Sequence, residues 1–361
     1  MHYSDYLQLD KILNAQQPEG ERLGEPAHDE MLFIVIHQAY ELWFKQLLYE
    51  TDSVIGILGQ PTLNDNSPEL QTIVHRLSRC ATILKVLVHQ IDIMETMTPM
   101  DFLDFRDKLR PASGFQSVQF KLLEARLGLK YEHRFGQHYY LSQLRQPEVD
   151  RIQSAEKEAS LLELLNSWLE RLPSVWTMGP QSPSLAVDAD GAADPFWADY
   201  RSRYQQSLAD TEKHNLNHFD SVFFGKPLPS PETDRPQTAA PSSATPPSPS
   251  LSPLACRSAL FIMLYRGYPL LQLPFQVLHQ LLEIDEQLST WRYRHMSMVA
   301  RVIGTRIGTG GSTGRDYLAS ALDRHHLFRE IAALTSFLIE RKRLPGLSPE
   351  MEKKLGFVAA G

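Results

Sequence analysis

The sequence predicts an all-α fold, with long antiparallel helices packed as a bundle. Three observations carry that prediction. Apolar residues recur at helical spacing over long stretches; helix caps and stops punctuate the chain; and no segment sustains strand-like alternation. With 361 residues, 42% of them hydrophobic and 22% charged, the chain can bury a large core of ordinary globular composition.

The elements follow in order. After Asp29, residues Met31 to Ile36 are apolar on every side and read as a buried helical turn, with Leu32, Ile36, Trp43 and Leu47 on one face. Ser67–Pro68 is a cap and first-turn pair. It opens a helix whose stripe is Leu70, Val74, Leu77, Ala81, Leu84, Val88 and Ile91. Thr98, Pro99 and Asp101 open another helix with a capping-box signal. The helix from Phe115 to Leu127 stops at Gly128. Amphipathic helices are expected over Glu156–Leu172 and Asp194–Leu216. A long one is expected from Pro274 to about Val302, and a helical pair from there to about Arg343.

The stretch from Lys226 to Pro253 is rich in Pro, Ser, Ala and Thr and cannot build a core. It divides the chain into a first helical part (1–225), a flexible surface insertion (226–253) and a second helical part (254–361).

Several function classes drop out. A formal net charge of −7 argues against a nucleic-acid binder. No apolar run approaches the roughly 20 residues of a membrane span. The start, MHYSDYLQLDKIL, lacks the basic region and apolar core of a secretory signal. The two cysteines, Cys80 and Cys256, fit neither a zinc nor a disulfide framework, which points to a reducing cytoplasm. Paired catalytic carboxylates, nucleophile motifs and zinc signatures are absent as sequence patterns.

What remains is a set of helical pairs. Phe33 and His37, and Phe102 and Arg106, are each four residues apart, so each couples an aromatic ring to a polar head on one face. A site for an aromatic amino acid needs rings for the side chain, a guanidinium for the carboxylate and a polar atom for any ring N–H. His295, in WRYRHMSMV, has Met296, Met298 and Val299 around it, a soft surround that suits an axial haem ligand. Taken singly, each histidine is equally a packed core side chain, and Arg106 a surface residue with its stem laid down. The glycine-rich GTRIGTGGSTG (Gly304–Gly314) could hold a phosphate, yet it lacks GKS or GKT and a preceding strand. A fold over a carboxylate or a haem propionate suits it as well.

Four segments together resemble the tryptophan 2,3-dioxygenase family: YSDYLQLDKIL (Tyr3–Leu13), HDEMLFIVIHQAYELWFKQLLYE (His28–Glu50), Met97–Gly128 and Leu281–Leu318. They span nearly the whole chain in the family's order, whereas Arg145–Pro253 matches loosely. The resemblance implies an all-helical cytoplasmic homotetramer with one haem b per subunit. That enzyme inserts both atoms of O2 across the indole C2–C3 bond of L-tryptophan, giving N-formylkynurenine. It implies further that His295 is the axial haem ligand and that His37 meets the indole N–H. Phe33 would pack on the indole, Phe102 line the pocket, and Arg106 with Thr309 hold the amino-acid end. Tyr3 and Tyr6 would reach a neighbouring subunit's site. The same scaffold could also serve a related haem enzyme oxidising a modified tryptophan or tyrosine.

Overall fold

A computed structural model describes residues 1–61, 63, 67–134, 137–172, 195–228, 251–304 and 326–356. Most of the Pro/Ser-rich segment, most of the glycine-rich stretch and Thr309 lie outside these residues. Within them the chain is helical and contains no strand. The helices are α1 (Tyr3–Leu7), α2 (Leu9–Leu13), α3 (Glu19–Arg22), α4 (His28–Leu58), α5 (Pro68–Met94), α6 (Pro99–Arg106), α7 (Val118–Leu127) and α8 (Gln137–Ser142). They continue as α9 (Gln146–Lys157), α10 (Leu161–Arg171), α11 (Pro195–Ser207), α12 (Asn215–Phe224), α13 (Pro253–Tyr265), α14 (Pro269–Ile303), α15 (Arg329–Ala333) and α16 (Pro349–Leu355). None is long and apolar enough to cross a membrane.

The all-α prediction holds, and so do its main details. Every member of the Leu70–Ile91 stripe on α5 is buried. Asp101 Oδ2 accepts from the Thr98 N–H at 2.8 Å, and Thr98 Oγ1 accepts from the Asp101 N–H at 3.3 Å, the reciprocal bonds of a capping box. Such a cap contributes about 1 kcal/mol. Gly128, at φ 136°, ends α7.

Several expectations need correction. The apolar turn 31–36 is not buried throughout: Ile36 is, but Met31 and Val35 are 42% and 45% exposed, because packing partners cover one side of the turn only. Trp43, read on one face with Ile36 and Leu47, is 36% exposed while those two are buried. The helix expected over Glu156–Leu172 is two helices. Ser160 caps α10 by accepting from the Glu163 N–H at 3.3 Å, while Glu163 accepts from the Ser160 N–H at 2.8 Å. The Asp194–Leu216 helix likewise ends at Ser207, and α12 starts after a 3-10 turn. At the chain's far end, a five-residue helix and two 3-10 turns stand where the second of a helical pair was expected. Helix α14 also begins earlier, at Pro269, and accommodates Pro274 inside its second turn.

The chain divides into two compact units. The second, residues 54–77, 159–283 and 327–361, has a core rich in rings, including Trp168, Trp197, Tyr200, Tyr204, Phe219 and Phe223. Buried tyrosines need acceptors. Tyr200, Tyr204 and Tyr265 donate to the carbonyls of Phe337 (2.8 Å), Ser336 (3.1 Å) and Pro345 (2.6 Å), which pins the 3-10 turns and the chain that follow α15. Tyr265→Phe should therefore lower stability by about 1–2 kcal/mol, because the Pro345 carbonyl loses its partner. An unchanged melting temperature would refute that pinning role.

Candidate active site

The first unit, residues 1–53, 78–158 and 284–326, contains the described site candidates. Helix α4 carries Phe33 and His37, α6 carries Phe102 and Arg106, and α14 carries His295. Ile36, Met94, Met97, Phe102 and Phe105 form a buried cluster. Phe33, Leu32, Tyr40, Leu109, Met298, Val302 and Ile303 pack against it. Each such ring, fully buried, contributes about 2 kcal/mol.

The spacings on α4 and α6 do what helical geometry requires. The Phe33 and His37 ring centroids lie 4.1 Å apart. The Phe33 ring is 5.8 Å from that of Phe102 and 5.5 Å from that of Phe105. Arg106, the last residue of α6, is buried, at a helix end that favours a cation.

His37 has a defined tautomer. Its Nδ1 lies 2.7 Å from the Phe33 carbonyl, which can only accept, so Nδ1 carries the proton. In the neutral ring Nε2 is then a bare acceptor. Solvent reaches one side of this ring, yet protein crowds the rest. That loss of water pulls its pKa below the ordinary imidazole value, although the Phe33 carbonyl and the Glu41 charge act the other way.

His295 is held differently. Its ring is parallel to that of Trp291, at 2° and 5.2 Å between centroids, one helical turn apart. Trp291 is packed in turn on Phe120 (5.0 Å), Tyr40 (6.0 Å) and Phe44 (6.2 Å). Two sets of ion pairs fix this turn of α14. Arg292 donates to the buried Glu124 of α7 at 2.7 Å, and Arg294 reaches Asp92 at 2.8 Å and Glu95 at 3.0 Å. Burial pushes the His295 pKa down to about 4, and a charge on His37 pushes it the same way. His295 is thus neutral at physiological pH, and its buried Nδ1 has no hydrogen-bond partner among the described residues. A neutral imidazole in an apolar surround is the donor an iron ligand requires.

The structure therefore brings together the cluster of Phe33, His37 and Phe102, with the His295 helix packed against it. Tyr3 and Tyr6 are not part of it: on α1 they are 71% and 70% exposed. A cavity of about 910 Å³ lies beside α4, lined by Pro18, Glu21, Pro26, Ala27, Met31 and Leu32 among others. Sequence reasoning missed Phe105, Trp291 and Tyr40. Only the four-residue step from Trp291 to His295 could have marked one of them.

Comparison with known proteins decides the family. A family model described as tryptophan 2,3-dioxygenase matches residues 1–338. The chain belongs to the tryptophan 2,3-dioxygenase family. It is 42% identical to a tryptophan 2,3-dioxygenase of Alteromonas mediterranea, over 99% of this chain and 97% of that one. It is 38% identical to one of Bdellovibrio bacteriovorus, over 99% and 98%. With tryptophan 2,3-dioxygenase B of Danio rerio it shares 39%, over 97% and 85%. Members of this family are dioxygenases, and the apolar cluster, with a neutral histidine on each of two helices, suits a site of that kind.

Proposed function

We propose that the chain is a haem-dependent dioxygenase that converts L-tryptophan and O2 to N-formyl-L-kynurenine, the first step of tryptophan breakdown. The carrying observation is that Phe33, His37 and Phe102 meet in one cluster against the His295 helix, in a member of this family. Haem b, one per subunit, bound at its iron by His295, supplies the activation of O2.

The chain's own residues bind and orient the substrate. The Phe33 and Phe102 rings offer faces and edges for the indole. His37 Nε2 accepts the indole N–H. Arg106 pairs with the carboxylate, and Thr309 holds the same end of the amino acid. Fixing both ends sets the indole C2–C3 bond in one place, which is catalysis by positioning. Both atoms of O2 end as carbonyl oxygens when that bond breaks. His37 orients the ring rather than removing its proton, because indole N–H is a far weaker acid than imidazolium.

Tyr3 and Tyr6, exposed within a single chain, complete a neighbouring subunit's site in a homotetramer. The free buried thiols of Cys80 and Cys256, pushed up to about 12 by burial, are consistent with a cytoplasmic protein. The direct test adds L-tryptophan to the ferrous, haem-loaded protein in air. The near-ultraviolet absorbance of N-formylkynurenine should grow, and its absence would refute the reading.

A pH dependence follows from His37. Once protonated, Nε2 carries a proton and cannot accept the indole N–H. The His37 pKa is lowered, so the accepting form persists to a pH below the ordinary imidazole value of 6.5. Tryptophan KM should stay flat above that value and rise only below it. The N1-methylated analogue, which has no indole N–H, should lack this acid limb. His37→Ala should keep haem and lose about tenfold in kcat/KM, as for one hydrogen bond. If that variant retains the acid limb, another group is responsible.

A further inference from the structure

We propose that Glu30 and Lys108 clamp the root of the N-terminal arm, so that the arm's tip enters the neighbouring subunit's substrate site in one orientation. The inference rests on the shared-site reading above.

The arm has a sharp root. No residue before Pro18 is buried, whereas Pro18 and Gly20 are. The cause is Glu30, itself 1% exposed in the first turn of α4. One carboxylate oxygen accepts from the Glu19 N–H at 2.8 Å, the other from the Gly20 N–H at 2.9 Å. Both bonds are charge-assisted, and a buried carboxylate that lost them would be costly. Gly20 is required there: a Cβ would stand 2.8 Å from the Glu30 oxygen and 2.7 Å from the Glu25 carbonyl.

The second jaw comes from the other side. Lys108 Nζ donates to the carbonyls of Glu25 (2.8 Å) and Asp104 (3.1 Å) and pairs with the Glu25 carboxylate at 3.4 Å. The Glu25 N–H donates to the Gly20 carbonyl at 2.8 Å and closes the loop between the jaws. Further out, Gln38 accepts from Gln16 at 2.6 Å and donates to the Ala15 carbonyl at 3.3 Å.

Each anchor lies beside a substrate residue. Glu30 precedes Phe33 by one turn, Gln38 follows His37, and Lys108 follows Arg106 by two residues. The root is thus tied to both helices that hold the proposed indole and carboxylate contacts. A buried acid in a helix's first turn is often only a cap. Here the clamped root leads to a tip with Tyr3, Tyr6, Ile12 and Leu13 exposed. A segment with no destination would gain nothing from a fixed direction, and a small turn at the root moves a distant tip by ångströms.

The test uses the haem-loaded full-length protein, Glu30→Gln, Lys108→Met, a deletion of residues 1–10, and each substitution combined with the deletion. Glu30→Gln places an amide N–H against a backbone N–H. Amides 19 and 20 should then exchange hydrogen faster, and tryptophan KM should rise about tenfold while kcat stays within twofold. Lys108→Met should shift KM in the same direction, and it carries the test should Glu30→Gln fail to fold. The deletion should also raise KM, and the substitutions should add nothing further in that background. A deletion without effect on KM overturns the shared-site reading, and the inference with it. A deletion that raises KM, beside substitutions that leave KM unchanged or act equally in the deleted chain, overturns the clamp alone.

Discussion

His295→Ala should purify as a folded helical protein without a Soret band, and haem reconstitution should not restore one. Tryptophan turnover should fall at least about a hundredfold, the upper end of what changes one shell further from a metal produce. The ring contributes little to folding: it stacks on Trp291, and its Nδ1 bonds to nothing described. The loss of stability should therefore be about 1–2 kcal/mol, and far-ultraviolet dichroism should be unchanged. Two further observations separate ligand loss from misfolding. Imidazole added to the variant should refill the space under Trp291 and recover part of the Soret absorbance. Glu124→Gln, which weakens the ion pair holding the Arg292 turn, should broaden or shift the band without abolishing it. An unchanged spectrum with full turnover in His295→Ala would mean that the neutral imidazole is a core side chain after all.

Much of the fold could be read from the residues, because the signals were local. The α5 stripe repeats at the helical period, and Thr98 and Asp101 announce their cap by type and spacing. The break at Ser160 carries the same spacing, Ser160 with Glu163, and was passed over because the apolar stripe continues across it. Met31 and Val35 were misjudged for a related reason: an all-round apolar turn looks the same whether its second face meets this chain or something else. At the site, the four-residue steps exposed the Phe33–His37 pair and placed Arg106 with Phe102. Trp291 stayed hidden because an aromatic residue on a long helix is ordinary core, and its role appears only when its plane is found parallel to His295. Glu30 was invisible in kind. Its partners are backbone N–H groups in a loop, and no residue pattern declares them.

The other large effect is expected at Arg106. Its position follows from its helix: the Thr98 cap fixes where α6 starts, and two turns later the chain delivers a buried guanidinium at the helix end. One turn back, the Phe102 ring joins that of Phe33. An amino acid lying along this face would have its carboxylate at Arg106 and its indole against the two rings. Arg106→Leu removes the charge and keeps an apolar stem. Tryptophan kcat/KM should fall by about two to three orders of magnitude, the 2–5 kcal/mol range for losing one partner of a buried charge pair. Arg106→Lys keeps the charge without the planar fork and should recover only part of this. Tryptamine, which has the indole and the amine but no carboxylate, is the deciding substrate. Its slow turnover should be nearly the same in Arg106→Leu and in the unaltered protein, so the preference for tryptophan over tryptamine collapses. If both substrates decline together, Arg106 supports the packing of α6, and the carboxylate contact must come from another residue.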